Sequence, residues 1–280
     1  MNRTEPPAPF GFVPGRRPLL MGVVNVTPDS FSDGGLFAAA AAAIAHGRRL
    51  AEEGADILDI GGESTRPGSE PVREAEELRR VLPVVEALAA DGHVVSIDTR
   101  RAGVLRAALS AGARIANDVT ALVGDPESLP VAAEAGAAVV LMHMQGDPRT
   151  MQNDPRYGDV VAEVGAFLAA RVEACVAAGI PRARICIDPG IGFGKTVEHN
   201  LALLLGLAAL RAEGCALLVG ASRKGFIGRL SRGEDTSRRL PGSLAVALHA
   251  AAAGADILRV HDVAETRQAL EIWRALRAAG

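Results

Sequence analysis

The sequence has little net charge, few cysteines and no long apolar run. A formal net charge of −3 over 280 residues provides no strong field to attract nucleic acid or an anionic membrane. Three cysteines without a CxxC pair predict reduced, buried thiols in a cytoplasmic protein, rather than a disulfide framework. The apolar runs stop short of the roughly 18 residues that indicate a membrane span. We therefore expect neither a nucleic acid nor a membrane as partner.

The N-terminal stretch MNRTEPPAPFGFVPGRRP is rich in proline and arginine and lacks a central apolar segment. It therefore predicts neither a secretory signal nor an anchor, and we expect residues 1–17 to form a flexible tail. The composition, 49% hydrophobic and 22% charged, is that of a globular protein with a sizeable core. Because no linker or change of composition follows the tail, residues 18–280 are predicted to form one domain.

Eight short aliphatic runs alternate with stretches of helical spacing along this domain. The runs are nearly continuous in apolar character, as expected for parallel strands that are buried on both faces. This regular alternation over roughly 250 residues predicts a (β/α)8 TIM barrel, an α/β fold. An open, doubly wound sheet is the alternative. It would be favoured by a glycine-rich fingerprint after the first strand, and NVTPDSFSDGG is not one.

Polar residues follow the C-terminal end of every predicted strand. In a barrel these ends share one rim, where barrel enzymes carry their chemistry. A single polar residue there is more often a helix cap or turn former, but a complete set indicates an active site. The members are Asn25, residues 63–66, Asp98, Asn117, Met142 with His143, Asp188, Ser222 with Arg223 and Lys224, and Arg259 with His261.

Two kinds of chemistry are visible at this rim. The first is anion binding, since barrels commonly hold phosphate at the loops after strands seven and eight. The residues that could surround a phosphate or diphosphate are Arg66, Lys224, Arg259 and His261, with Asn25. The second is recognition of a flat, nitrogen-rich ring. Asp98 and Asp188, joined by Asn117, can accept hydrogen bonds from an amidine-like edge such as that of guanine or a pterin.

Two competing interpretations fit less well. Paired carboxylates also serve glycoside hydrolysis, but that interpretation gives no role to the basic residues at the rim. Sugar binding also usually involves many aromatic residues, which here make up only 3% of the chain. The segment DPGIGFGKT resembles a phosphate-binding P-loop, but Pro189 stands where its first glycine is required. We expect its glycines to allow close backbone approach to a bound ring. Met142 and Phe193 are expected to be apolar walls for that ring, with core packing as the alternative, and the role of His143 stays open.

Nine sequence blocks occur in an order that resembles bacterial dihydropteroate synthases, from the pterin-binding TIM-barrel family. They include MGVVNVTPDSFSDGG, GGESTRPG, SIDTR, DPGIGFGKT, GASRKGFIG and RVHDV. The resemblance implies an enzyme that joins 6-hydroxymethyl-7,8-dihydropterin diphosphate to 4-aminobenzoate in folate biosynthesis, with magnesium and as a homodimer, and that is a target of sulfonamides. Gly225, where a larger residue is common in the family, and the segment NDVTAL depart from the family pattern.

The resemblance also implies roles for individual residues. The pterin positions are Asp98, Asn117, Asp188 and Lys224, to which the expected apolar walls Met142 and Phe193 are added. The 4-aminobenzoate positions are Phe31, Thr65, Pro67, Ser222 and Lys224. The diphosphate positions are Asn25, Thr65, Arg66, Arg259 and His261, with Asn25 as magnesium ligand. The predicted catalytic residues are Asn25, Asp33, Arg66, Lys224, Arg259 and His261. The polar loops after strands one and two are expected to be lids that close over the substrates. A corrinoid methyltransferase and a non-catalytic pterin-binding homologue are the alternatives.

Overall fold

The structure, a computed structural model, describes residues 17–26, 33–64, 72–147 and 149–279, without the side chains of residues 33–37. Its eight strands run parallel and close into a barrel in which β8 pairs with β1. The strands are β1 Leu19–Asn25, β2 Ile57–Gly61, β3 Val95–Asp98, β4 Ile115–Asp118, β5 Ala138–Met142, β6 Ile185–Asp188, β7 Ala216–Val219 and β8 Ile257–Val260. The predicted TIM barrel is confirmed.

Helices connect successive strands around the outside of the barrel. They are α1 Asp33–Glu52, α2 Glu74–Ala90, α3 Ala102–Ser110, α4 Ser128–Glu134, α5 Val160–Ala177, α6 Val197–Leu205, α7 Leu207–Leu210, α8 Gly225–Leu230, α9 Leu240–Ala252 and α10 Val263–Ala278. The largest core cluster lies between these helices and the outer faces of the strands. No helix in the described ranges is both long and apolar enough to cross a membrane.

The barrel interior is filled from the alternate, inward-facing residues of the strands. A separate apolar cluster occupies its floor, and its members include Met21, Ile57, Ile115, Val140, Cys186, Leu218 and Ile257. Further along the same strands the inward positions become polar, so that the upper interior is built from charged and amide side chains. The apolar floor thus supports a polar mouth on the rim that the sequence pattern indicated.

At the opposite end of the barrel, the carboxylates of Asp56 and Asp256, which precede β2 and β8, accept hydrogen bonds from the backbone of neighbouring strands. Asp56 accepts hydrogen bonds from the Leu20 amide and from the guanidinium of Arg17, at 2.8 and 2.7 Å respectively. The sequence predicts a flexible tail over residues 1–17, whereas this ion pair holds Arg17 against the barrel. Residues 1–16 of that tail lie outside the described residues. The three cysteines are buried and free, as predicted.

Candidate active site

A cavity of about 510 Å³ opens at the C-terminal rim of the barrel. Seven predicted site residues line it, namely Asn25, Asp98, Phe193, Ser222, Lys224, Arg259 and His261. Asn117 and Asp188 are buried beside it, since they occupy the ends of β4 and β6. Phe31, Thr65, Arg66 and Pro67 lie outside the described residues, and Asp33 is described only as the start of α1. The described part of the rim therefore brings the predicted ring and anion residues together.

Of the two predicted ring carboxylates, Asp188 is buried and Asp98 is partly buried, with 12% of its side chain exposed. Asp188 is 6% exposed, and its Oδ1 accepts a hydrogen bond from the Gly190 amide at 2.7 Å. Burial raises the pKa of Asp188, although this hydrogen bond and the charge of Lys224 oppose the shift. Burial also raises the pKa of Asp98 to about 7, against the attraction of Arg259. Both carboxylates are thus poised to gain from a ligand that donates hydrogen bonds to them.

Asp59, inside β2, is a site residue that the sequence reading missed. Its side chain is fully buried, and its Oδ2 accepts hydrogen bonds from Arg259 Nε at 2.7 Å and from Asn117 Nδ2 at 3.0 Å. Because a carboxylate only accepts, Asn117 must turn its nitrogen toward Asp59. This contact fixes the orientation of the amide beside the ring carboxylates. The signal in the sequence was an aspartate within the otherwise apolar run ILDIG.

Arg259 connects Asp59 to the rim. Its Nη2 donates a hydrogen bond to Asp98 Oδ2 at 2.8 Å, while its Nε is held by Asp59. Burial opposes the charge of this guanidinium, but Asp59 and Asp98 more than compensate and raise its pKa. Arg259 therefore stays charged between the ring carboxylates and the outer part of the cavity.

The turn after β7 presents the predicted anion-binding groups. Arg223 has a left-handed backbone with φ of 58°, and its guanidinium is bound by Asp262, with Nε to Oδ2 at 3.0 Å. A non-glycine residue in this region is strained and must be held by its surroundings. The Arg223–Asp262 pair supplies that support and fixes the position of Ser222 on one side and Lys224 on the other.

His261 lies next to this turn, with its Nδ1 3.0 Å from Ser222 Oγ. Burial, together with the neighbouring charges of Arg259 and Arg223, lowers the pKa of His261 to about 4. It is therefore a neutral imidazole near pH 7, so any contact that it makes with an anion does not involve a positive charge. A neutral imidazole can still donate a hydrogen bond to an anion through its second nitrogen.

Phe193, predicted to be a wall for a bound ring, lines the cavity. The ammonium of Lys224 lies 3.8 Å from the centre of its ring, within the range of a cation–π contact. Phe193 also belongs to a small apolar cluster with Val119, Met142 and Met151. Met142 is 4% exposed and is part of this cluster. The cluster holds the Phe193 ring at the cavity surface.

Two glycines of DPGIGFGKT, Gly190 and Gly194, lie against protein backbone, whereas Gly192 lines the cavity. A Cβ at Gly190, where φ is +70°, would lie 1.9 Å from the carbonyl oxygen of His143. At Gly194, where φ is +61°, it would lie 2.5 Å from that of Gln145. These two glycines are required because the segment after β6 packs against the backbone of the segment after β5.

The predicted magnesium ligand, Asn25, is exposed at the end of β1 and lines the cavity. Among the described residues, no group of three or more His, Cys, Asp or Glu side chains could hold a metal ion. Magnesium binds oxygen ligands and keeps several waters, and it is often held by one or two protein groups together with substrate phosphates. A single amide oxygen fits a cation of that kind.

Comparison with known proteins gives a consistent result. A family model described as "Pterin binding enzyme" matches residues 21–261. The chain is 50% identical over 263 residues to the dihydropteroate synthase of Neisseria meningitidis serogroup C, covering 93% of each chain. It is similar to the Xanthomonas albilineans dihydropteroate synthase solved with 7,8-dihydropteroate, with a TM-score of 0.83, 50% identity and 94% of each chain covered. It is also similar to the Yersinia pestis enzyme in a sulfonamide complex, with a TM-score of 0.87, 47% identity and coverage of 94% and 95%.

Proposed function

The chain belongs to the pterin-binding enzyme family, and from that premise we propose how its barrel mouth works. It is an enzyme of folate biosynthesis that condenses 6-hydroxymethyl-7,8-dihydropterin diphosphate with 4-aminobenzoate and releases 7,8-dihydropteroate and diphosphate. The observation in the structure that best supports this reaction is the set of Asp98, Asn117 and Asp188 on strand ends of one barrel, beside Ser222 and His261. Asn117 and Asp188 are buried and Asp98 is partly buried.

Asp98, Asn117 and Asp188 bind the pterin ring. The ring edge carries an N–H and an exocyclic amino group, and Asp98 and Asp188 accept hydrogen bonds from such donors. Asn117, oriented by Asp59, adds a carbonyl oxygen to this surface. Phe193 contributes an apolar wall beside the ring, and Lys224, which lies over the Phe193 face, supplies a donor for the ring's own acceptors. Burial of these groups makes each hydrogen bond harder to replace by water.

The reaction breaks the C–O bond between the pterin methylene and diphosphate, and it forms a C–N bond to the aromatic amine. The bonding electron pair of the C–O bond leaves with diphosphate, and the amine nitrogen then releases a proton. Because the ring can spread positive charge from the methylene, the chain does not need a nucleophile of its own. Its tasks are to hold the ring, to stabilise the departing negative charge and to exclude water.

The departing diphosphate faces Arg259 and His261, with Arg66 from the segment outside the described residues. His261 uses Nδ1 in its contact with Ser222 and offers Nε2 to a phosphate oxygen. Magnesium, when bound at Asn25, would neutralise part of the diphosphate charge. Ser222 and Lys224 lie at the strand end nearest the incoming 4-aminobenzoate, and Phe31, Thr65 and Pro67 would complete its pocket. A sulfonamide would take the same place, consistent with the Yersinia pestis complex.

We also propose that the chain is a cytoplasmic homodimer. The free, buried cysteines fit a reducing compartment. Large apolar side chains are exposed on the later helices, namely Leu201 and Leu205 on α6 and Ile272 and Leu276 on α10. Exposed apolar side chains of this size support a contact between subunits through these helices. Light scattering after size-exclusion chromatography tests this, and a monomer at micromolar concentration would contradict it.

A coupled assay for diphosphate release tests the proposed reaction. Release should require both the pterin diphosphate and 4-aminobenzoate, and it should be inhibited by a sulfonamide that competes with 4-aminobenzoate. A corrinoid methyltransferase would show no such release, and a non-catalytic pterin-binding protein would bind the pterin without turnover. Diphosphate release that is independent of added 4-aminobenzoate would contradict the proposal.

A further inference from the structure

Lys195 is a buried lysine that the reaction described above does not use. It follows the glycine segment after β6, and only 1% of its surface is exposed. Its Nζ donates hydrogen bonds to the carbonyl oxygens of Phe193 at 2.9 Å and of His143 at 3.2 Å, and it lies 3.0 Å from His143 Nδ1. An ammonium has three protons, so these three acceptors satisfy it completely.

The three acceptors belong to two different parts of the barrel rim. His143 directly follows β5, whereas Phe193 lies in the segment after β6. One ammonium thus ties the two segments together at the point where Phe193 turns its ring toward the cavity. Lys195 itself lines that cavity. The Phe193 ring is consequently held between the Lys195 contact with its backbone and the Lys224 ammonium over its face.

The charged neighbours of Lys195 are Asp188, which attracts its charge, and Lys224, which repels it. The Tyr157 ring lies 6.0 Å from Nζ. Burial lowers the pKa of Lys195 to about 7, with Asp188 opposing the shift. Burial and Lys195 together lower the pKa of His143 to about 3, so the imidazole is neutral. Because its Nδ1 accepts from the ammonium, the ring proton of His143 is on Nε2.

Stability alone does not account for this lysine. Taking a charge out of water is costly, and an apolar side chain of similar volume often gives an equal or greater stability at such a position. We propose that Lys195 is a positioning residue for the pterin site, which holds Phe193 and the segment after β5 in place through its ammonium. This inference rests on the proposed function, because it names a group that shapes the same ring pocket.

The test replaces Lys195 by methionine, which keeps the length and removes the three donors. We expect Lys195→Met to weaken binding of the pterin substrate by about tenfold or more, which corresponds to loss of a hydrogen bond to a charged group. Turnover at saturating substrate should change much less, because the reacting atoms are not touched. Calorimetry with the pterin and steady-state kinetics separate the two effects. A folded variant with pterin affinity within about twofold of the wild type would overturn the proposal.

A second pair of variants keeps the test valid if Lys195→Met does not fold. His143→Asn keeps an acceptor near the position of Nδ1, whereas His143→Leu does not. We expect the leucine variant to lose more pterin affinity than the asparagine variant. Equal losses in the two variants would contradict a role for the hydrogen bond from Lys195.

Imidazole ¹⁵N spectra give a readout that does not depend on activity. In the wild type the signals of His143 should show a proton on Nε2, and in Lys195→Met they should show a mixture of tautomers. An unchanged single tautomer in the variant would mean that Lys195 does not set the state of His143. If the wild type released no diphosphate in the presence of 4-aminobenzoate, the proposed function would fail, while the spectra would still report on the Lys195 contact.

Discussion

Replacing Asp59 by asparagine tests whether a buried residue below the rim organises the ring site. In the native protein Asp59 Oδ2 receives hydrogen bonds from both Arg259 and Asn117. The substitution removes the charge and adds an NH2 group. If the asparagine keeps its oxygen toward Arg259, the added NH2 points at the site of Asp59 Oδ1, a buried atom without a partner among the described residues. If it turns over, two donors face each other.

The size of the effect follows from these contacts. Removing one partner of a buried ion pair typically costs about 3–5 kcal/mol. Arg259 retains Asp98 at 2.8 Å, and the asparagine retains one acceptor, so the loss should be smaller. We expect the free energy of unfolding to fall by about 2–3 kcal/mol, close to the value of one hydrogen bond to a charged group. Because a neutral asparagine holds Asn117 and Arg259 less firmly than the carboxylate does, pterin affinity should also fall by about tenfold or more.

Asp56→Asn is the matched control. Asp56 lies three residues earlier, directly before β2. Its carboxylate also binds an arginine, but its second donor is a backbone amide and it lies at the opposite end of the barrel. Chemical denaturation and calorimetry with the pterin should show both variants destabilised and only Asp59→Asn impaired in binding. If the two variants bind the pterin equally well, Asp59 stabilises the barrel and does not organise the site.

Three further outcomes are expected. Asp188→Asn should weaken pterin binding by about 10- to 100-fold in calorimetry without unfolding the barrel, because a donor replaces an acceptor facing ring donors; near-normal affinity would remove Asp188 from the ring site. Gly190→Ala should lose at least about 3 kcal/mol of stability in chemical denaturation, since its Cβ would meet the His143 carbonyl oxygen, and a stable variant would refute the packing described here. Pterin affinity should fall as the pH drops below about 7, because burial raises the pKa of Asp98 to about 7 and protonation removes an acceptor; in Asp98→Asn this pH dependence should be lost.

The fold was predictable from the sequence because parallel strands that are buried on both faces read as continuous apolar runs. Two of the eight apolar runs, ARIAND at 113–118 and AAVVLMH at 137–143, match β4 and β5 within two residues of their bounds. The rim was predictable for a related reason. Once the strands are known to be parallel, their C-terminal ends must lie together, and the polar residues at those ends converge.

Asp59 and Lys195 could not be predicted in the same way. Asp59 lies inside a strand, and its partner Arg259 is 200 positions away in the sequence, so only the closure of the barrel brings them together. Lysine is rarely buried, and nothing in the letters GFGKT says that this one is satisfied by two carbonyl oxygens and an imidazole. The neutral state of His261 was also missed, since it results from burial and from neighbouring positive charges.

Contacts within the protein, including the one from Asp59, fix the orientation of the proposed ring-binding groups before a substrate arrives. Each of the three groups has one atom already engaged by the protein. Asp98 uses one oxygen for Arg259, Asp188 uses one for the Gly190 amide, and Asn117 uses its nitrogen for Asp59. We infer that the acceptors that remain for a ligand are the second oxygen of each aspartate and the single amide oxygen of Asn117. A ring edge made of N–H groups therefore meets acceptors that need no rearrangement, whereas an edge with oxygen atoms in their place would meet only repulsion.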